Sequence, residues 1–290
     1  MKGFTIAGHV AVDQVITFKG ERVQLGGPPC YSSALGKSMG FPVDVVSEIG
    51  FDFPDELNPI LQSLEIECDR RSDFPSTRFV LDYRYEPRRM MVPTVCEPIK
   101  LSQLEKAKHL LLCPIAGEVS DELIMGADPE FLALDPQGLL RKIREDHTVE
   151  SREWHNPDAL RKIDLLKTSS NEHNHITGTK DIKKSLEKLI RLGVKIAIIT
   201  DGRNGSYVMT GSEFFRAPVY PVDVVDSTGA GDVFMAGIAS HLDEGLTWAS
   251  AIASAASSAV CETSGPEISC GKAEIISRAE QVNDKIEHLG

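Results

Sequence analysis

The residues of this chain best suited to chemistry lie together in Val225-Asp226-Ser227-Thr228-Gly229-Ala230-Gly231-Asp232-Val233-Phe234-Met235-Ala236-Gly237, a glycine-rich turn that runs into an apolar helix. Gly229, Ala230 and Gly231 carry little or no side chain. Their amides can therefore converge on an anion at a helix start, where unpaired N–H groups and the helix dipole both favour negative charge. A phosphate fits such a place. Asp232 stands beside it, and a carboxylate next to a phosphate is repelled unless it has a role such as taking the proton of an attacking hydroxyl. The combination points to phosphoryl transfer to an alcohol. Taken alone, the glycines read more simply as a tight turn with Asp226 or Ser227 as N-cap.

Further polar groups fall where strands end. Phe4 to Asp13 reads as one buried strand ending in a polar turn, with Asp13 at its tip. In open parallel α/β sheets ligands bind at the carboxyl ends of strands, so Asp13 could hold a substrate hydroxyl or be an ordinary turn aspartate. Gln137 and Arg141, in Asp135-Pro136-Gln137-Gly138-Leu139-Leu140-Arg141, follow another strand at the start of an expected helix. They could meet hydroxyls or phosphate, or could simply be solvated. Gly26-Gly27-Pro28-Pro29 breaks the chain before a helix over Cys30 to Met39, and either lets a ligand approach the backbone or is punctuation. Thr200-Asp201-Gly202-Arg203-Asn204-Gly205-Ser206 reads as a turn between two apolar strands.

The elements that must position these groups alternate. Strand-like runs at His109–Ile115, Phe131–Leu134, Ile163–Lys167 and Val194–Thr200 are separated by helical stretches, the clearest being Asp181–Leu192 with Ile182, Leu186, Leu189 and Ile190 on one stripe. Such alternation predicts a doubly wound α/β fold, a mostly parallel sheet with helices on both faces. Thr77 to Tyr85 instead alternates as a half-buried strand and, with residues 14–25 and 90–97, predicts a small sheet beside the main one. One domain over residues 1–290 with that inserted sheet is expected.

At 290 residues, 41% hydrophobic and 26% charged, the composition is that of a globular protein with ample core. The net charge of −12 argues against a nucleic-acid surface. No basic-then-apolar leader is read at Lys2, and Thr247 to Cys261, though uncharged, is too short and too rich in Ala and Ser to span a membrane. A cytoplasmic protein without membrane partners is expected. Cysteines 30, 68, 96, 113, 261 and 270 form no metal or disulfide pattern, and His173 with His175 lacks a third ligand. A dinucleotide-dependent oxidoreductase is disfavoured, because Gly8 stands alone after the first strand.

The whole string from Asp226 to Gly237 resembles the C-terminal signature of the ribokinase-like (PfkB) sugar kinases, with Ser227 a mild departure. The resemblance implies a ribokinase-like fold, with Gly229, Ala230 and Gly231 as the anion hole and Asp232 as catalytic base. It also implies substrate contacts from Asp13, Gly26, Gly27 and Asp232. Tyr31 stands where the family has a sugar-binding asparagine, and the small sheet, about 14–25 and 77–97, becomes a lid that can pair two subunits. Thr200, Gly202 and Gly205 match the nucleotide loop T-x-G-x-x-G, Gly229 and Gly231 hold phosphate, and residues 255–264 line the adenine side. Ser169-x-x-Glu172 replaces the family's N-x-x-E, leaving Glu172 and Asp226 as magnesium residues acting through water and phosphate. Cofactors are then ATP and Mg2+, with K+ left open. D-x-Q-G-L-x-R at 135–141 and Lys167-Thr168-Ser169-Ser170-Asn171-Glu172 resemble the myo-inositol kinase branch and bring Gln137 and Arg141 to the substrate. Ribose, nucleoside and ketosugar kinases stay open within the family, and outside catalysis a nucleotide or sugar sensor on the same fold.

Overall fold

A computed structural model describes residues 3–85 and 88–290. Lys2 and residues 86 and 87 of the expected small sheet lie outside the described residues.

Apolar runs too continuous to have a wet face build the middle of the central sheet. Among the described residues its nine strands lie in the order Glu287–His288, Phe214–Ala217, Ser206–Met209, Ile196–Thr200, Leu165–Ser169, Phe131–Leu134, His109–Leu112, Phe4–Ala7 and Val43–Val46. The six from Ile196–Thr200 to Val43–Val46 are parallel, and the other three add an antiparallel edge. Alternate residues enter different cores. Leu111, Ala133, Leu165 and Ile198 pack on one face, Leu110, Leu132, Leu166 and Ala197 on the other. This is the burial on both faces that parallel strands require. Among the helices, Ile182–Arg191 buries Leu186 and Leu189 completely, each contributing about 1.5–3 kcal/mol.

On the opposite face the helix Ala230–His241 packs against Leu246–Cys261. A methyl group on Gly237 would stand 2.9 Å from Ala253 Cα, so small residues here serve close helix contact. Among the described residues no helix is long and apolar enough to cross a membrane.

The first strand ends earlier than its hydrophobicity suggests. Phe4–Ala7 belongs to the central sheet, and the chain then turns away at Gly8, where a methyl group would lie 2.4 Å from the Cys113 carbonyl oxygen. A new strand, Ala11–Thr17, opens a second sheet of order Gly20–Gly26, Ala11–Thr17, Thr77–Asp82, Arg89–Thr94. Asp13 thus sits inside this small sheet and not at the tip of a central strand. The helix expected from Cys30 begins at Pro28, whose fixed φ and missing N–H suit a first helical position. Gln137 to Leu140 forms one 3-10 turn instead of a helix start, because Gly138 presses on the Pro114 backbone and Arg141–Ile143 leaves as a short strand paired with Val149–Ser151.

Candidate active site

The glycine turn is built by its own polar side chains. Asp226 Oδ1 accepts from the Thr228 amide at 2.9 Å and from its hydroxyl at 2.7 Å, which folds the chain back before Gly229. Gly229 then caps the helix at φ 80°, a conformation costly for any residue with a Cβ. The ring of Tyr31 lies against it, so closely that a methyl group there would fall 2.2 Å from Tyr31 Cδ1. The Ala230 amide leans on the Ser227 carbonyl at 3.3 Å, the long end of hydrogen bonding. The amides of Gly231 and Asp232 belong to the first helical turn, where no preceding carbonyl is in place to receive them.

Over this turn opens a cavity of about 550 Å3, walled by Asp13, Tyr31, Gln137, Arg141 and Asp232 together with Gly229 and Gly231. Sequence positions from 13 to 232 thus meet at one place. Asp13 is 5% exposed, and Gly26 lacks a side chain where a methyl group would strike Asp13 Oδ2 at 2.0 Å. Gly26 makes room for the carboxylate, while Gly27 lines the cavity. Arg141 is fixed by donating Nη1 to the Ile115 carbonyl at 2.8 Å and by lying over the Phe79 ring. Tyr31 offers the cavity its ring, and its hydroxyl is buried with no partner among the described residues.

Burial dominates the electrostatics. It pushes Asp232 up to about 7 against the pull of Lys167 and Arg141, with Asp135 and Asp13 adding to the rise. Asp13 is likewise pushed up to about 7, chiefly by burial, with Arg88 and Arg141 opposing. A carboxylate titrating near neutrality is poised to exchange protons in catalysis. Burial also draws Arg141 below the ordinary arginine value.

Other expected residues stand apart from the cavity walls. Glu172 Oε2 accepts from the Ser169 amide at 3.2 Å and its hydroxyl at 2.6 Å, so the serine that replaces the asparagine orients the glutamate. Both oxygens of Asp226 are engaged, Oδ1 by Thr228 and Oδ2 by Arg22 at 2.8 Å. Thr200 ends a central strand, with Gly202 at φ 50° and Gly205 at φ 91° in the turn beyond, where a Gly205 methyl would meet the Ala217 oxygen at 2.1 Å. His173 is buried, its Nδ1 paired with Ser185 Oγ at 2.7 Å.

Sequence reasoning missed two groups. One is the buried pair of Lys167 with Asp135, 2.5 Å apart. Its signal was a lysine following the apolar pair Leu165-Leu166 in a strand-like run. The other is the fastening of the small sheet onto the turn, in which Tyr83 pairs with Thr228 and Arg22 with Asp226. No local pattern announces contacts between residues 145 and 204 positions apart.

Comparison with known proteins points one way. The model of the pfkB family carbohydrate kinases matches residues 138–272. The cytidine kinase of Thermococcus kodakarensis is 26% identical over 84% of this chain and 90% of its own. In fold, the chain is similar to a pyrophosphate-dependent myo-inositol-1 kinase converted into a myo-inositol-3 kinase, with a TM-score of 0.80, 21% identity and coverage of 96% and 98%. Arabidopsis thaliana ribokinase complexed with ribose and ATP superposes with a TM-score of 0.73 at 20% identity, over 95% of this chain and 98% of that one.

Proposed function

We propose that the chain is a kinase of the PfkB, ribokinase type that transfers a phosphoryl group from ATP to a hydroxyl of a small sugar or polyol, with myo-inositol as acceptor. The observation that carries this reading is the convergence of Asp232, Asp13 and Arg141 on one cavity at the start of the Ala230–His241 helix.

In the proposed reaction Asp13 and Gln137 hold acceptor hydroxyls. Asp232 takes the proton of one of them as its oxygen attacks the terminal phosphorus of the donor. The bond from that phosphorus to the bridging oxygen breaks, and ADP leaves with the electron pair. Amides of the Gly229–Gly231 turn face the charge on the transferring oxygens, and because the transfer depends mainly on position and charge stabilisation, no covalent enzyme intermediate is needed. Thr200, Gly202 and Gly205 are assigned to the nucleotide. For magnesium, the candidate donors are Glu172 and Asp226. Among the described residues Glu172 bonds through Oε2 alone, which leaves Oε1 for a water-mediated role, whereas Asp226 would reach a metal only by giving up Arg22. Bound Mg2+ would supply charge neutralisation on the donor phosphates.

A second reading, a nucleoside kinase, is favoured by the long match to the cytidine kinase. A homodimer through the small sheet, where Val23 and Met91 face solvent, belongs to the proposal and is checked by mass in solution. The deciding experiment measures phosphorylation of myo-inositol, ribose, fructose, ketodeoxygluconate, adenosine and cytidine, with ATP, ADP or pyrophosphate as donor. Turnover on myo-inositol with ATP is expected. Turnover on cytidine alone would replace the acceptor, and turnover with pyrophosphate alone would replace the donor.

A further inference from the structure

An ion pair to which the transfer above gives no role lies behind the anion turn. Lys167 is in the strand Leu165–Ser169, and Asp135 immediately follows the neighbouring parallel strand Phe131–Leu134. Lys167 Nζ donates to Asp135 Oδ2 at 2.5 Å, and each side chain is only 4% exposed. Asp135 Oδ1 is buried with no partner among the described residues. As a stabilising device such a pair is poor, because taking two charges out of water costs about as much as their attraction returns, and apolar replacements often serve as well. Its location is more telling. A methyl group on Gly231 would lie 2.8 Å from Lys167 Nζ, so the absence of a side chain at Gly231 is what admits the ammonium to the turn.

Resting on the kinase reading, we propose that Lys167, held by Asp135, is a positioning residue whose ammonium stands against the anion turn and keeps Asp232 in place as a charged proton acceptor. The two carboxylates then have different duties. A lone buried lysine tends to shed its proton. Burial does pull Lys167 down, but the charge and hydrogen bond of Asp135 outweigh it and hold the ammonium above its ordinary value. That charge stands against Gly231, the residue before Asp232, and favours the ionised Asp232 carboxylate. The groups around Asp232 come from several elements: Lys167 from within its strand, Asp135 just after the neighbouring one, Arg141 after the 3-10 turn, Asp13 from the small sheet. Tyr31 and Cys30 of the first helix and Cys113 after its strand also face it, each kept neutral by burial. After burial itself, Lys167 is the strongest influence on Asp232, ahead of Asp135, so the pair as a whole favours the ionised base.

The test is a carboxyl titration of the full chain labelled with 13C-aspartate, the Asp232 signal being assigned by its loss in Asp232→Asn. It needs neither substrate nor metal. In Lys167→Met the Asp232 midpoint should rise from about 7 by one pH unit or more, whereas Lys167→Arg should leave it in place. If Lys167→Met does not fold, Lys167→Met with Asp135→Leu removes both buried charges and should still titrate above the unsubstituted protein. The acidic limb of kcat/KM should move with the midpoint. An unmoved midpoint in these variants, with only stability lost, would make the pair a structural tie and overturn the proposal. A shifted midpoint in a protein that phosphorylates no acceptor would instead remove the kinase reading and leave the charge assignment standing.

Discussion

The Tyr83 hydroxyl stands 2.7 Å from Thr228 Oγ1, joining the end of a small-sheet strand to the residue before the glycine turn. Arg88 Nη1 donates to the same Tyr83 oxygen, and from the edge strand Gly20–Gly26 of that sheet Arg22 pairs with Asp226. Through these contacts the sheet that carries Asp13 is tied to the turn that precedes Asp232. Replacing the hydroxyl removes both of its bonds, of which the part-buried one to Thr228 is worth about 0.5–1.5 kcal/mol and the exposed one to Arg88 adds little. Tyr83→Phe should therefore raise the acceptor KM about two- to tenfold, and steady-state kinetics on the best acceptor checks this. An unchanged KM would mean that the contact does not help hold the acceptor.

Turnover should depend on pH through Asp232. Its carboxyl is pushed up to about 7, so a base that must be ionised is increasingly protonated below that value. The rate constant kcat/KM should rise with pH through neutrality and then level off. Asp232→Asn should lower kcat by about 100-fold or more while leaving nucleotide affinity measured by calorimetry nearly intact.

The same burial has the opposite effect on stability. Asp13 and Asp232 titrate near 7 in the folded chain against 3.8 for a free side chain, so the native state binds more protons between those values. Their contribution to stability is full below about pH 3.8 and is lost as pH rises through about 7. Asp232→Asn should accordingly melt above the unsubstituted protein at pH 8, with an advantage that shrinks toward pH 5. Thermal unfolding at the two pH values reads the difference directly.

Gly229 is constrained twice, by φ 80° and by the Tyr31 ring. Gly229→Ala should lose about 1–3 kcal/mol in denaturant unfolding and lose activity as well. Adding Tyr31→Ala relieves the contact but not the backbone conformation, so only part of the stability should return.

Much of this protein was legible in its sequence because the signals were local. The alternation of strand and helix gave the α/β class, since a strand buried on both faces must be continuously apolar, and the glycine string before Ala230 marked the turn because only small residues fit it. Local patterns could not say where the first strand would break, for the Gly8 bend is dictated by contact with Cys113, which lies over a hundred residues away. Nor could they say that Asp13 rides on the small sheet, that Gly26 exists to clear its carboxylate, or that Lys167 finds Asp135 behind the turn. Residue types and short spacings point to the proposed reacting groups, since that chemistry is intrinsic to each side chain. Which charges face one another, and how far burial shifts them, depends on distances that exist only once the sheet has brought its strand ends together.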